Sequence, residues 1–214
     1  MTTALRRPRS KAKRAAAPRV RERLTVGARR EQLLALGLTA FTAQPYDEVS
    51  LDEIARAAGV SRALIFHYFP TKRDFYMATL QAAIADFLAA TVESKADSPL
   101  ERLFLGLDAY FDYVERHAVS YAAIMRGGIG SDPEISKMVD STRTHILEKI
   151  RVELPEQARD APQLRTALRG WIGFMEATAL DWIDHRDVSH EELKELALRT
   201  LAALLGEHAA LFVT

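Results

Sequence analysis

The sequence predicts an all-α fold in two parts: a three-helix N-terminal domain built on a helix-turn-helix, and a larger helical domain behind it. Three observations carry this. Apolar residues recur at helical spacing through most of the chain, with no convincing strand and no repeat. Helix starts are marked by capping residues at Ser50, Ser61, Thr71, Ser98, Asp132 and Ser189. The net charge is zero, yet residues 1–75 hold 15 Lys and Arg against 7 Asp and Glu, while residues 76–214 hold 14 against 22. A front of +8 and a back of −8 point to nucleic acid at the front.

Residues 1–23 are rich in Arg, Lys, Ala and Pro with few large apolar groups. Such a segment buries too little surface to offset its ordering entropy, so a disordered basic arm is expected. It reads either as an arm that follows phosphates or as a solubilising tail. Leu24 to Ala43 reads as the first helix, with Leu34, Leu38 and Phe41 on one stripe beside Leu33, Leu36 and Ala40. Pro45 ends it, and Tyr46 begins the link to Ser50.

Ser50 to Lys72, SLDEIARAAGVSRALIFHYFPTK, is the centre of the chain. Ser50 and Glu53 form a capping-box pattern. Leu51, Ile54, Ala55 and Ala58 then share one helical face. Gly59 supplies the backbone angle that a sharp turn requires. Val60 pins the turn, Ser61 caps a second helix from Arg62 to Phe69, and Pro70 stops it. An ordinary helical hairpin has the same grammar. The polar-tipped residues Arg62, His67 and Tyr68 crowded on so short a helix, with Lys72 just beyond, favour a DNA reader.

This stretch resembles the tetracycline-repressor (TetR) family of bacterial regulators. The matching residues are Ile54-Ala55, Ala58-Gly59-Val60-Ser61, His67-Tyr68-Phe69 and Lys72, with Phe41, Tyr46 and Ser50 upstream. The resemblance is specific over roughly residues 24–75. It implies that Arg62, Ala63, Phe66 and Tyr68 face bases or nearby phosphates, and that Lys72 and the start of the first hairpin helix at Ser50 hold the backbone. Ser61 and His67 complete the expected DNA-facing set. Three positions depart from the usual pattern: Ala63 stands where glycine is common, Leu64 where a small hydroxyl residue is common, and Phe66 where tyrosine is common. Phe66 cannot donate to a phosphate; packing on a thymine methyl is one use for it, and a slightly different seat of the helix is another.

Residues 24–70 are thus read as the DNA-binding domain and 71–214 as an effector-binding and dimerisation domain. Thr71 to about Ala96 reads as one long helix, a lever with Phe75, Ala78, Ala82, Ala85, Leu88 and Val92 on its stripe. Further helices are expected from Ser98 to about His117, Val119 to Arg126, Asp132 to before Pro155, Ala161 to about Asp184 and Ser189 to about Phe212. The loop up to Gly130 is expected to be the most flexible point of the back domain. The resemblance implies that the last two helices pair with their copies in a four-helix homodimer interface. Reading DNA with two heads asks for the same thing, since recognition helices must lie about one turn, ~34–36 Å, apart.

The middle of the back domain is rich in aromatics and Met, which usually form plain core. A subset is expected to line a pocket for a small apolar or aromatic effector: Tyr110, Tyr113, His117, Tyr121, Met125, Trp171, Phe174, Met175 and Glu176. The expected partners are double-stranded DNA, as a palindromic operator, a second copy of the chain, and that effector. No catalytic residue, metal or cofactor is expected, since no Gly-x-Ser-x-Gly, His-Glu-x-x-His or phosphate loop is present. Asp181, Asp184, His185, Asp187 and His190 cluster near one helix junction, and they read as solvated helix ends rather than as acid–base machinery. A helical adaptor using the hairpin for protein contacts is the remaining alternative, disfavoured by the basic front. There are no cysteines and no membrane-length apolar run, which fits a cytoplasmic protein.

Overall fold

The computed structural model describes residues 24–92, 96–128, 132–154 and 156–206. The basic arm, the loop to Gly130 and the expected last turns to Phe212 lie outside the described residues. Within them every regular element is helical. Ten α-helices follow in order: α1 Val26–Ala43, α2 Leu51–Ala58, α3 Arg62–Tyr68, α4 Lys72–Val92, α5 Pro99–Arg116, α6 Ala118–Ala123, α7 Pro133–Arg151, α8 Glu156–Arg159, α9 Pro162–His185 and α10 His190–Leu205.

The capping residues named from sequence act as caps. The Ser50, Ser61 and Ser98 hydroxyls accept from the amides of Glu53, Leu64 and Glu101. Thr71 and Asp74 bond each other reciprocally, as do Ser189 and Glu192. Gly59 is left-handed (φ 66°, ψ 36°), and the Val60 amide returns to the Ala55 carbonyl at 2.9 Å, closing the turn between α2 and α3. Two boundaries differ from expectation. α1 starts at Val26 because the Thr25 hydroxyl caps it by accepting from the Ala28 amide. The helix expected from Val119 to Arg126 is α6 followed by one wide π turn, Ile124–Gly128.

The front domain packs α1, α2 and α3 around Leu33, Leu34, Phe41, Val49, Ile54, Ile65 and Phe69. Phe75 of α4 belongs to the same core, so that core runs past residue 70. The buried stripe of α4 is Phe75, Thr79, Leu80 and Ala83, not the alanine row through Ala85. Thr79 is tolerated there because its hydroxyl donates to the Phe75 carbonyl of its own helix, at 2.8 Å.

α1 crosses α4 at Gly37. A Cβ there would lie 2.6 Å from Phe75 Cζ and 2.8 Å from Thr79 Oγ1, both on fully buried side chains. Gly37→Ala would gain about 1 kcal/mol of helix propensity. It also forces apart two packed helices, an over-packing cost of about 1–3 kcal/mol. We expect net destabilisation, read as a lower denaturant midpoint at unchanged slope.

Behind this junction α5, α7, α9 and α10 enclose a second core around Leu107, Phe111, Leu168, Trp171, Ala179 and Trp182. The two indole N–H groups donate to the Ala197 and Val188 carbonyls, pinning α9 to α10 and to the link between them. A small third cluster, Leu80 with Ile135 and Val139, ties α4 to α7. Arg73, one residue into α4, pairs with Asp132 and Glu134 at the start of α7 and strengthens that tie.

Candidate functional site

The front domain presents one polar face. Ser61, Arg62, Ala63 and His67 are exposed on α3, while Ile65 is wholly buried and fixes the helix's orientation. The Arg62 guanidinium donates to Asp52 at 2.9 Å, both side chains being about half exposed. Pairs this exposed contribute only about 0–1 kcal/mol, so Arg62 is readily released to a stronger acceptor. Phe66 is half-buried against the front core with the Arg62 guanidinium 5.4 Å over its ring, and so it serves as a platform for Arg62. The Tyr68 hydroxyl donates to the Val26 carbonyl at 3.4 Å, which ties α3 to the start of α1. Lys72 donates to the Asp47 carbonyl at 3.2 Å, its ammonium 4.8 Å over the Tyr46 ring. Ser50, half-buried, begins α2 on the flank.

A cavity of about 360 Å³ lies behind this head. α4 contributes Ala83, Ile84, Phe87 and Thr91, and α5 a row from Leu103 through Leu107 to Tyr110 and Tyr113, continued by His117 just beyond its end. Tyr121 and Met125 close one side; Ile146 and Ile150 of α7 close another. α9 supplies Trp171, Ile172, Met175 and Glu176. Leu38 of α1 also reaches the wall, so a helix of the front domain touches the cavity directly.

Several polar groups of the wall are already bonded to protein. Tyr110 and Tyr121 hydroxyls lie 2.7 Å apart, and Tyr110 reaches the Met175 carbonyl at 3.1 Å. Burial pushes both phenols well above their ordinary pKa, so they are neutral near pH 7. Burial pushes the Tyr113 phenol up to about 12, and its hydroxyl donates to the Ala83 carbonyl. His117 stacks on the Tyr113 ring at 4.3 Å. Arg143 forms a two-pronged pair with Glu176, 2.7 Å for each prong.

Residues 33–79 match the family model "Bacterial regulatory proteins, tetR family", and residues 99–204 match "Tetracyclin repressor-like, C-terminal domain". The transcriptional regulator BetI of Cronobacter sakazakii is 30% identical over 163 residues, covering 66% of this chain and 81% of BetI. A solved TetR-family regulator from Streptomyces coelicolor is 37% identical, with a TM-score of 0.74 over 87% of this chain and 84% of that one. The chain belongs to the TetR family. The transcriptional activator FasR of Mycolicibacterium smegmatis is a further relative, 28% identical over 119 residues; the match spans 55% of this chain and only 54% of FasR.

As a TetR-family member the chain is a DNA-binding transcriptional regulator and not an enzyme. Regulators of the family bind DNA operators, dimerise and take effector ligands. The structure brings together Tyr110, Tyr113, His117, Tyr121, Met125, Trp171, Met175 and Glu176 around the cavity. Phe174 departs from that set. It lies on the opposite side of α9, in a shallow groove with Ala167, Gly170, Thr200 and Leu204. Much of the rest of the wall escaped the sequence reading, Arg143 and Leu38 among it. Arg143 gave no signal of its own, because its partner Glu176 is 33 positions away. Leu38 read as front-domain core.

The acidic and histidine cluster at the α9–α10 junction is dispersed into separate pairs. Asp184 meets Arg126, His185 lies over the Asp181 carbonyl, and His190 sits between Asp112 and Glu115 of α5. Among the described residues no helix is long and apolar enough to cross a membrane.

Proposed function

We propose that this regulator reads a palindromic operator as a homodimer, acts as a repressor in the cytoplasm, and is released by a small apolar or aromatic effector bound in the cavity. Residues 24–70 serve as the reading head and 71–214 as the effector and dimer domain, with the arm of residues 1–23 adding phosphate contacts. The observation that carries this is the cavity wall itself. Leu38 of α1 and Ala83, Ile84 and Phe87 of α4 face the ligand space, and the same two helices meet in the head's core, where Phe75 of α4 packs against α1 at Gly37. A ligand that prefers one setting of these helices changes the spacing of two heads, through a coupling of about 1–3 kcal/mol.

For dimerisation, α9 and α10 offer an outward face separate from the cavity. Leu196 and Leu204 are 39% and 45% exposed on α10 although Leu193, Leu201 and Leu205 of the same helix are buried. Exposed leucines beside the Phe174 groove form the apolar patch a second copy would cover. FasR is named an activator, so the same architecture serves either sign. Repression predicts an operator that overlaps a promoter.

On DNA, Arg62 near the start of α3 is expected to read guanine, a bidentate contact that discriminates by about 1–3 kcal/mol. Lys72 acts as a point charge for phosphate. Selection of genomic fragments with the purified protein tests the reading and yields the site. On that site, Arg62→Ala is expected to lower the ratio of specific to nonspecific affinity by about tenfold or more. Lys72→Ala is expected to weaken all DNA alike and to reduce the salt slope by about one. Specific binding untouched by Arg62→Ala would refute the assigned base contact.

A further inference from the structure

All the hydroxyl groups around the cavity except that of Ser120 have their protons committed to protein oxygens. Thr91 donates its proton to the Phe87 carbonyl at 2.8 Å, and Thr142 donates to Met138 at 2.9 Å. Tyr113 donates to Ala83 at 3.2 Å. Tyr110 and Tyr121 have one proton each for two contacts, the Met175 carbonyl and each other. Both contacts are hydrogen bonds in only one arrangement: Tyr121 donates to Tyr110, and Tyr110 donates to Met175. The Tyr121 oxygen then has lone pairs to offer and no proton to give.

The cation nearest this end has three of its five N–H groups turned to carboxylates. Arg143 gives Nε and one terminal nitrogen to Glu176, and its other terminal nitrogen to Asp140. At this end the Tyr121 oxygen is therefore a hydrogen-bond acceptor with no proton of its own to give, set among largely apolar side chains. A buried acceptor left unpaired by a bound molecule costs its full desolvation, whereas a ligand that donates to it avoids that cost. Sites built this way reject analogues that lack the matching group.

We infer that the effector donates a hydrogen bond to the Tyr121 oxygen, and so is a largely apolar, uncharged molecule carrying a hydroxyl or N–H at the end seated there. This rests on the reading that the cavity takes the effector, and it deepens that reading. The opposite end is built differently. Arg102 leaves its Nε–H buried without a partner, so an acceptor at the far end of a long ligand is accommodated there.

The test uses 4-butylphenol and 4-butylanisole, which differ only in the methyl group that removes the donor. Binding to the full chain is read by quenching of Trp171 fluorescence, in a Trp182→Phe background, and by thermal shift. The phenol is expected to bind about tenfold more tightly than the ether. Tyr121→Phe is expected to bring the ratio near one. Tyr110→Phe is expected to lower it as well, since the Tyr121 proton is then free to be donated to the ether oxygen. Ser120→Ala, which removes the lining hydroxyl whose proton is not committed to a protein oxygen, is expected to leave the ratio unchanged. Equal binding of the two probes, a preference for the ether, or loss of the preference in Ser120→Ala would overturn the inference and leave the cavity as an effector site. No binding of either probe at millimolar concentration would overturn both. Tight phenol binding that never alters operator affinity would leave the inference standing and remove the regulatory reading.

Discussion

Arg143→Met is expected to destabilise the protein by about 3–5 kcal/mol, and adding Glu176→Leu to restore all but about 1 kcal/mol of that. Both side chains are mostly buried, 20% and 18% exposed, between α7 and α9 at the cavity wall. Glu176 ion-pairs with Arg143 alone among the described residues, whereas Arg143 also meets Asp140. Removing the arginine therefore strands a carboxylate in apolar surroundings; removing the glutamate leaves the cation a second partner. The asymmetry is itself a prediction, namely that Glu176→Leu alone costs less than Arg143→Met alone. Replacing both charges by apolar groups of similar volume removes desolvation and attraction together, which in buried pairs comes out near neutral. Urea melts of the four proteins form the cycle that checks it. A double variant no better than Arg143→Met would mean that the site's shape, not its charge balance, sets its stability.

Much of the front domain was legible because its signals are local. A capping serine, a glycine that must be left-handed and a proline that cannot continue a helix act over three or four residues. Ser50, Gly59 and Ser61 show these effects in the bonds described above. The Phe66 departure was visible in sequence, but its consequence was not. Its use as a platform under Arg62 depends on where α2 places Asp52, which anchors the other side of the guanidinium.

In the back domain the sequence marked which helices carry the wall but only partly which of their faces. At 3.6 residues per turn, Trp171, Ile172, Met175 and Glu176 span one side of α9, and Phe174 falls on the other. Hydrophobicity alone does not separate them, because α9 is apolar on both sides: one toward the core and cavity, one toward the outer groove. The buried row of α4 was misread for a related reason. Its many alanines give little contrast between faces, and the residue that matters, Thr79, looks polar until its hydroxyl is seen bonded within the helix. The close approach at Gly37 had no local signal, since its cause is Phe75 on another helix.

Leu204→Glu is expected to yield a folded single subunit whose operator affinity falls by at least about 10³-fold, to the level of its nonspecific binding. Leu204 is 45% exposed and lines the outer groove, so the substitution spares the internal core and acts where a second copy would pack. The size of the effect follows from α3. Seven helical residues span about 10 Å, which is about three base pairs of groove. A site that short recurs throughout any genome, and one head cannot gather the affinity that distinguishes an operator from the excess of competing DNA. Two heads fixed one helical turn apart double the bases read and the phosphates held. A charge buried in that apolar contact carries a desolvation cost in both copies at once. Sedimentation velocity reads the subunit count, thermal melting confirms the fold, and titration against selected and scrambled duplexes reads the affinity. A Leu204→Glu protein that sediments as a dimer and keeps its operator would show that the subunits meet elsewhere than through α9 and α10.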